Sequence, residues 1–216
     1  MHIDNQTPSL ARFPELQQVL NGLRTPFEVQ AYLDSLPYVG EELNRSPLRV
    51  VRDQQCHCLD GGLFAALALS NLGHPALILD LVPEPEMDDD HVLALFRHQG
   101  LWGSVAKSNF VGLRYRDPIY RSLRELVMSY FEPCYNLNGQ KTLRAYTRPL
   151  QLARYARYGW AWSEAGVEKV TERLYSLKPI PLIGPHSVAI LAPVDPRSYQ
   201  AGMQGTNYDG LFKPRW

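Results

Sequence analysis

Cysteine is scarce in this sequence, which contains three such residues in 216. Cys56, Cys58 and Cys134 are too few and too unevenly spaced for the disulfide framework of a small secreted domain. No apolar run reaches the roughly eighteen residues that a membrane-spanning helix needs. The N-terminal MHIDNQTPSL lacks the basic and apolar regions of a secretory signal. We therefore expect a cytoplasmic protein that has no membrane partner.

The sequence also has no excess of charge of either sign. It holds 22 Lys and Arg against 22 Asp and Glu, so the formal net charge is zero. This balance argues against a nucleic acid or an acidic membrane surface as a partner. Residues 154–162 interleave arginines with tyrosines and tryptophans, a pattern that can stack on bases. With neutral overall charge, we interpret this run as part of a helix packed on a sheet and expect no nucleic-acid partner.

The hydrophobic pattern predicts one α+β domain with extensions. Apolar residues make up 45% of the chain, enough for a sizeable core at this length. The predicted organisation is an N-terminal helical lead (1–40), a core (41–148) and a C-terminal extension packed on it (149–216). Periodicity and capping signals predict helices at 13–23, 25–36, 58–70, 122–131 and 163–177, and strands at 76–82, 91–97, 101–106, 141–146 and 187–191.

Cys58 stands at the start of the most apolar predicted helix. Unpaired backbone amides and the helix dipole favour the thiolate at this position, and the thiolate is the nucleophilic form of cysteine. Cys56 lies two residues earlier and is expected to face elsewhere. Taken alone, a cysteine in this place is more often a small buried hydrophobe. The pattern up to this point is compatible with both interpretations of Cys58, as a nucleophile and as a core residue.

A nucleophilic cysteine needs a base and a third group that orients the base. His91 opens the predicted strand 33 residues after Cys58, where both residues can reach the same edge of a helix-on-sheet core. The hairpin 91–106 is expected to set Phe96 opposite Trp102. That register leaves Ser108 and Asn109 as candidates for the third member. If His91 activates Cys58, the thiol should react rapidly well below its ordinary pKa of about 8.5.

The short run Cys56-His57-Cys58 could also be interpreted as part of a metal-binding site. Close cysteine ligands of zinc are usually separated by two to four residues, and here a single residue separates them. Asp88–Asp90 form an acidic run without the glycine and glutamate of an EF-hand loop. We therefore expect no metal and no cofactor.

The segment from Cys58 resembles the transglutaminase-like superfamily of papain-related cysteine enzymes. That family's pattern is a cysteine, an acid two residues later, an apolar helix and a Gly-x-Pro-Ala turn, followed later by a histidine that opens a strand and a tryptophan in the next strand. The positions that match are Cys58, Asp60, Phe64, Leu67, Gly73, Pro75, Ala76, His91 and Trp102. The resemblance covers about residues 52–110. It departs from the family at Ala106, where an aspartate is expected.

The resemblance implies a transglutaminase-like or papain-like core in which the cysteine helix packs on an antiparallel sheet. It also implies a cysteine-dependent peptidase, amidase or acyltransferase that works through a thioester on a peptide, protein or small amide or thioester substrate. Cys58 and His91 would be catalytic, and Gln54 or Gln55 would help the Cys58 amide to bind the oxyanion. The alternative is a non-catalytic binding or scaffold protein that keeps the fold without a complete triad.

Overall fold

The computed structural model describes residues 12–212, which form helices and one mixed-order antiparallel sheet. The helices are α1 (Pro14–Gly22), α2 (Pro26–Ser35), α3 (Pro47–Asp53), α4 (Cys58–Asn71), α5 (Leu123–Met128), α6 (Glu164–Tyr175), α7 (Pro185–Val188) and α8 (Pro196–Gly202). The strands are β1 (Leu77–Pro83), β2 (His91–His98), β3 (Leu101–Val105), β4 (Arg116–Tyr120), β5 (Leu143–Tyr146), β6 (Leu150–Gln151) and β7 (Ile180–Pro181). The α+β class expected from the sequence is confirmed at this level.

Side-chain caps fix where several helices begin. The hydroxyl of Thr25 accepts a hydrogen bond from the Glu28 amide at the start of α2, and Ser122 does the same for Glu125 at the start of α5. Each hydroxyl satisfies an amide that has no acceptor inside its helix. These two helix starts were predicted from the same residues. The prediction for α5 runs too far, since the helix ends at Met128.

The sheet has the strand order β4-β3-β2-β1-β5-β7, and β6 also pairs with β1. All of these pairings are antiparallel. The β2–β3 hairpin was predicted, but its register differs by one residue, because Phe96 lies opposite Gly103 and Arg97 opposite Trp102. Residues after 148 supply β6 and β7 to this same sheet.

Apolar layers cover both faces of the sheet. Strand residues point alternately to opposite faces, so Val92, Ala94 and Phe96 join the layer around α4, which we call the first core layer. Leu93 and Leu95 join a second core layer on the other face. The position of a polar residue in this alternation therefore decides which layer it faces.

One predicted element is wrong. Residues 187–191 were expected to form a strand, whereas the structure has the short helix α7 followed by a turn. Pro185 at the first helical position, after the extended Gly184, favours this turn of helix over a strand. Between residues 12 and 212, no helix combines the length and the apolar character required to cross a membrane.

Gly62 lets α4 approach the sheet closely, and its replacement should destabilise the fold. A Cβ atom at Gly62 would lie 2.7 Å from Val92 Cγ1. We expect Gly62→Ala to lower the free energy of unfolding by about 1–3 kcal/mol, the usual cost of overpacking. Urea unfolding followed by circular dichroism measures it. Gly22→Ala is the matched control, since nothing lies within 4 Å of its Cβ position. Equal losses in both variants would contradict the close approach.

Candidate functional site

A buried polar network fixes the first turn of α4. His57 is its N-cap: the His57 Nδ1 atom accepts from the Leu59 amide at 3.2 Å, and the His57 amide donates to Asp60 at 3.3 Å. The Arg45 amide donates to the other Asp60 oxygen at 2.6 Å. Burial raises the pKa of Asp60 to about 7 and lowers the pKa of His57 to about 4. This network directs Asp60 toward Arg45 and sets the backbone on which Cys58 stands.

Cys58 lies at the first position of α4 and is partly exposed, whereas Cys56 and Cys134 are buried. Its thiol donates to the backbone oxygen of Asp90 at 3.7 Å. The Val92 backbone, at the start of β2, acts to lower the Cys58 pKa, against larger effects that raise it. The thiol is thus held between the start of α4 and the start of β2.

Two carboxyl groups face each other beside this thiol. Asp80 lies opposite Val92 in the β1–β2 pairing, and therefore on the face of α4, where Asp90 approaches it. Asp80 is 4% exposed, and its Oδ1 atom and the Oδ2 atom of Asp90 have no hydrogen-bond partner among residues 12–212. Burial and mutual repulsion raise the pKa of Asp80, and burial with the nearby Asp89 raises that of Asp90. One proton shared between the two carboxyls would satisfy both orphaned oxygens.

The electrostatic field at the thiol is negative. Burial, followed by the charges of Asp90 and Asp89, raises the pKa of Cys58 well above its ordinary value. The same carboxylates contribute to raised pKa values for Tyr38 and Tyr175, after burial. The sequence predicted rapid reaction well below the ordinary thiol pKa if His91 activates Cys58. Burial and the carboxylates act in the opposite direction, against the effect of the helix end.

His91 lies on the opposite face of the sheet from Cys58. It pairs with Leu81 in the β1–β2 register, and Leu81 belongs to the second core layer. The His91 Nε2 atom bonds the backbone oxygen of Leu113 at 2.7 Å, and burial lowers the pKa of the ring to about 4. The expected Cys58–His91 hydrogen bond is therefore not made. His91 is the first residue of β2, and its side chain points to the face of the sheet opposite to the one that packs on α4.

The remaining candidates bond elsewhere. Ser108 accepts from the Phe110 amide at 3.0 Å, and Asn109 exchanges two hydrogen bonds of 2.8 Å with Asn207. The Gln54 amide group donates to the Val51 oxygen at 2.7 Å. No side-chain hydrogen bond joins Gln55 to another residue in the part of the chain that the structure describes. The structure brings none of these four side chains to His91.

A cavity of about 440 Å³ opens near this region, bordered by Tyr38. Its walls come from the ends of α2 and β3 and from the C-terminal segment. Asn207 closes one side, because its side chain donates to the Tyr38 oxygen at 2.8 Å and its backbone oxygen and amide bond the Asn109 side chain. Tyr38 therefore borders this cavity and also lies near Cys58 and Asp90.

Metal ligation does not explain the carboxylates. Within residues 12–212, no three His, Cys, Asp or Glu side chains converge in a way that could hold a metal ion. Asp88 is turned away, since its carboxylate accepts from the Thr142 hydroxyl at 2.8 Å.

Sequence reasoning missed the role of Asp80. The signal was present, because an aspartate in the middle of the apolar run ALILDLV is unusual for a buried strand. Asp90 was considered only as part of the acidic run Asp88–Asp90. Its pairing with Asp80 depends on the β1–β2 register, which the sequence alone does not specify.

Comparisons with known proteins show a weak structural similarity. No family model matches this chain. No curated protein matches it. Among solved structures, it is similar to EGTA-treated LapG of Legionella pneumophila, with 14% sequence identity and a TM-score of 0.35. The match covers 45% of this chain and 61% of that chain, so this chain spans about three fifths of the length of LapG. This is a weak likeness at the level of the fold.

Proposed function

We propose that this protein is a cysteine-dependent enzyme that transfers or hydrolyses an acyl group, with Cys58 as the nucleophile and the Asp80–Asp90 carboxyl pair as the proton carrier. The observation that carries the proposal is the buried carboxyl pair with orphaned oxygens beside the partly exposed thiol at the start of α4. Burial of such a pair costs free energy, and titratable groups with perturbed pKa values cluster at functional sites.

The proposed reaction uses one proton that moves twice. The carboxyl pair accepts the Cys58 proton as the sulfur attacks the carbonyl carbon of an amide or thioester. The carbon–nitrogen or carbon–sulfur bond then breaks, and the pair returns the proton to the leaving amine or thiol. Water or an amine adds to the thioester and releases the acyl group, which restores the thiol.

The raised pKa values support carboxyl groups in this role. A carboxylate of ordinary pKa is a weak base for a thiol, whereas burial and the repulsion of Asp90 raise the pKa of Asp80 to about 9, and burial with Asp89 raises the pKa of Asp90. Both carboxyls are therefore stronger bases than ordinary aspartates. Proton transfer is most efficient when the two groups have similar pKa values. The amide of Cys58 has no acceptor within the helix and is available to the oxyanion that forms.

Acetylation by p-nitrophenyl acetate tests the proposal. We expect a burst of p-nitrophenolate and a transient acetyl adduct that peptide mass spectrometry assigns to Cys58, formed at least about tenfold faster than in the urea-unfolded chain. Cys58→Ser should abolish the burst, and Cys134→Ser, which alters a buried cysteine, should keep it. A rate equal to that of the unfolded chain would overturn the enzymatic proposal.

A second candidate is a non-catalytic binding or scaffold protein. The hydrogen bond from the Cys58 thiol to the Asp90 oxygen and the negative field around it favour this alternative, since both stabilise the protonated thiol. The cavity beside Tyr38 would then receive the partner. The same acetylation experiment separates the two candidates, because a scaffold needs no accelerated reaction at Cys58.

A further inference from the structure

Three carboxyl groups near Cys58 have no cationic neighbour. Asp80, Asp89 and Asp90 make no ion pair with any Lys, Arg or His between residues 12 and 212. Elsewhere on the molecule carboxylates are commonly paired, as Asp53 is with Arg45 at 3.0 Å. The site around Cys58 is therefore a concentration of uncompensated negative charge.

One of these carboxyls is buried and lacks a donor. Asp80 is 4% exposed, and its Oδ1 atom has no hydrogen-bond partner in the described part of the chain. Asp90 Oδ2 is in the same situation beside it. A buried acceptor without a donor costs on the order of 1–3 kcal/mol, more when it is charged. A shared proton can supply the missing donor, and so can a bound ligand that carries N–H groups and positive charge.

Two aromatic rings complete the surroundings. Tyr38 and Tyr175 are both close enough to Asp90 and Cys58 for those groups to raise their pKa values. Tyr175 in turn acts to lower the pKa of Asp90, against the larger effects of burial and Asp89 that raise it. Carboxylates together with tyrosine rings attract organic cations through both charge and the ring faces.

A metal ion does not fit the same space, since the acidic side chains do not converge within the described residues. An ammonium group makes weaker demands on geometry, because its three N–H donors rotate freely on a flexible stem.

We propose that the substrate bound at Cys58 carries a primary ammonium group, which the Asp80–Asp90 pair holds beside Tyr38 and Tyr175, in a negative field to which Asp89 contributes. This inference rests on the proposed function for its chemical meaning, and it names the substrate class: an amide or thioester with an aminoalkyl group. The bound ammonium replaces the shared proton as the donor to the orphaned oxygens. It also offsets the negative field, so that substrate binding favours ionisation of the thiol.

Charge-selective thiol reagents test this inference without requiring turnover. Aminoethyl methanethiosulfonate presents a primary ammonium, and sulfonatoethyl methanethiosulfonate presents an anion of similar size. We expect the ratio of their rates at Cys58, divided by the same ratio for free 2-mercaptoethanol, to be at least about 10 at low ionic strength. High salt should reduce it. Peptide mass spectrometry confirms that Cys58 is the residue modified.

A pair of variants locates the source of the selectivity. Asp89→Asn should lower the normalised ratio at least about threefold, since Asp89 is exposed and contributes directly to the field at Cys58. Asp117→Asn removes the same charge from an exposed position in β4 and should leave the ratio unchanged. A normalised ratio near 1 in the wild-type protein would overturn the inference. If the acetyl adduct still forms in that case, the proposed function survives. High selectivity without accelerated acetylation would support the cation site and overturn the proposed function.

Discussion

Asp90→Asn is expected to change two reactions of the same sulfur in opposite directions. Acetylation of Cys58 by p-nitrophenyl acetate should fall at least about 10²-fold, the low end of what a positioned acid–base group contributes. Alkylation by iodoacetamide at pH 8 should rise about tenfold. The second effect follows because Asp90 is the largest charge that raises the pKa of Cys58, after burial. One pKa unit is a tenfold change in the thiolate fraction.

The opposite signs distinguish a catalytic carboxyl from one that is merely nearby. A carboxylate that only disfavours the thiolate would slow both reactions, and its removal would accelerate both. A carboxylate that carries the proton accelerates acyl transfer even though it disfavours the free thiolate. Stopped-flow absorbance and iodoacetamide labelling measure the two rates on the same samples, with Asp117→Asn as the control for loss of one negative charge. Acceleration of both reactions in Asp90→Asn would remove the carboxyl pair from the proposed mechanism.

Asp80→Asn is expected to stabilise the protein more as the pH rises. Burial and repulsion raise the pKa of Asp80 in the folded state above the unfolded value of about 3.9. A group with a raised folded pKa contributes its stability below the unfolded pKa and loses it as the pH rises through the folded pKa. Asparagine does not titrate and can donate to Asp90. Each pH unit in this window is worth up to about 1.4 kcal/mol, so the advantage of the variant should grow by up to about 4 kcal/mol between pH 5 and pH 8.

Urea unfolding at the two pH values measures this difference. Asp60 and Asp88 also have raised pKa values, but they are present in both proteins and their effects cancel. Asp117 is exposed, so the free energy of unfolding of Asp117→Asn should change between the two pH values by the same amount as that of the wild-type protein. A pH-independent difference between Asp80→Asn and the wild type would mean that Asp80 is ionised in both states, and the shared proton would be excluded.

Local signals in the sequence were sufficient for most helices and strands. The helix of Cys58 was visible because its apolar residues follow a helical period and stop before Gly73 and Pro75, and it ends at Asn71. The β2–β3 hairpin was visible from two apolar runs around a short polar turn. The strand prediction at residues 187–191 was wrong because an apolar run of this length does not distinguish a strand from a helical turn.

The candidate site was only half accessible to sequence reasoning. Cys58 was found because a helix start has a local signature, and the structure places it at that start. The Asp80–Asp90 pair near Cys58 was missed because successive strand residues face opposite sides of a sheet, so an assignment that is one residue off selects the wrong face. His91 and Asp90 are neighbours in sequence, but their side chains lie on opposite sides of the sheet.

The burial of α4 restricts how a substrate can reach the thiol. Every residue from Leu59 to Leu69 is buried, between α1–α3 on one side and the sheet on the other. A helix enclosed in this way cannot tilt or slide without disrupting both neighbours. In the proposed reaction, we expect the substrate to enter past the acidic connection 84–90 or the exposed end of α6 at Tyr175.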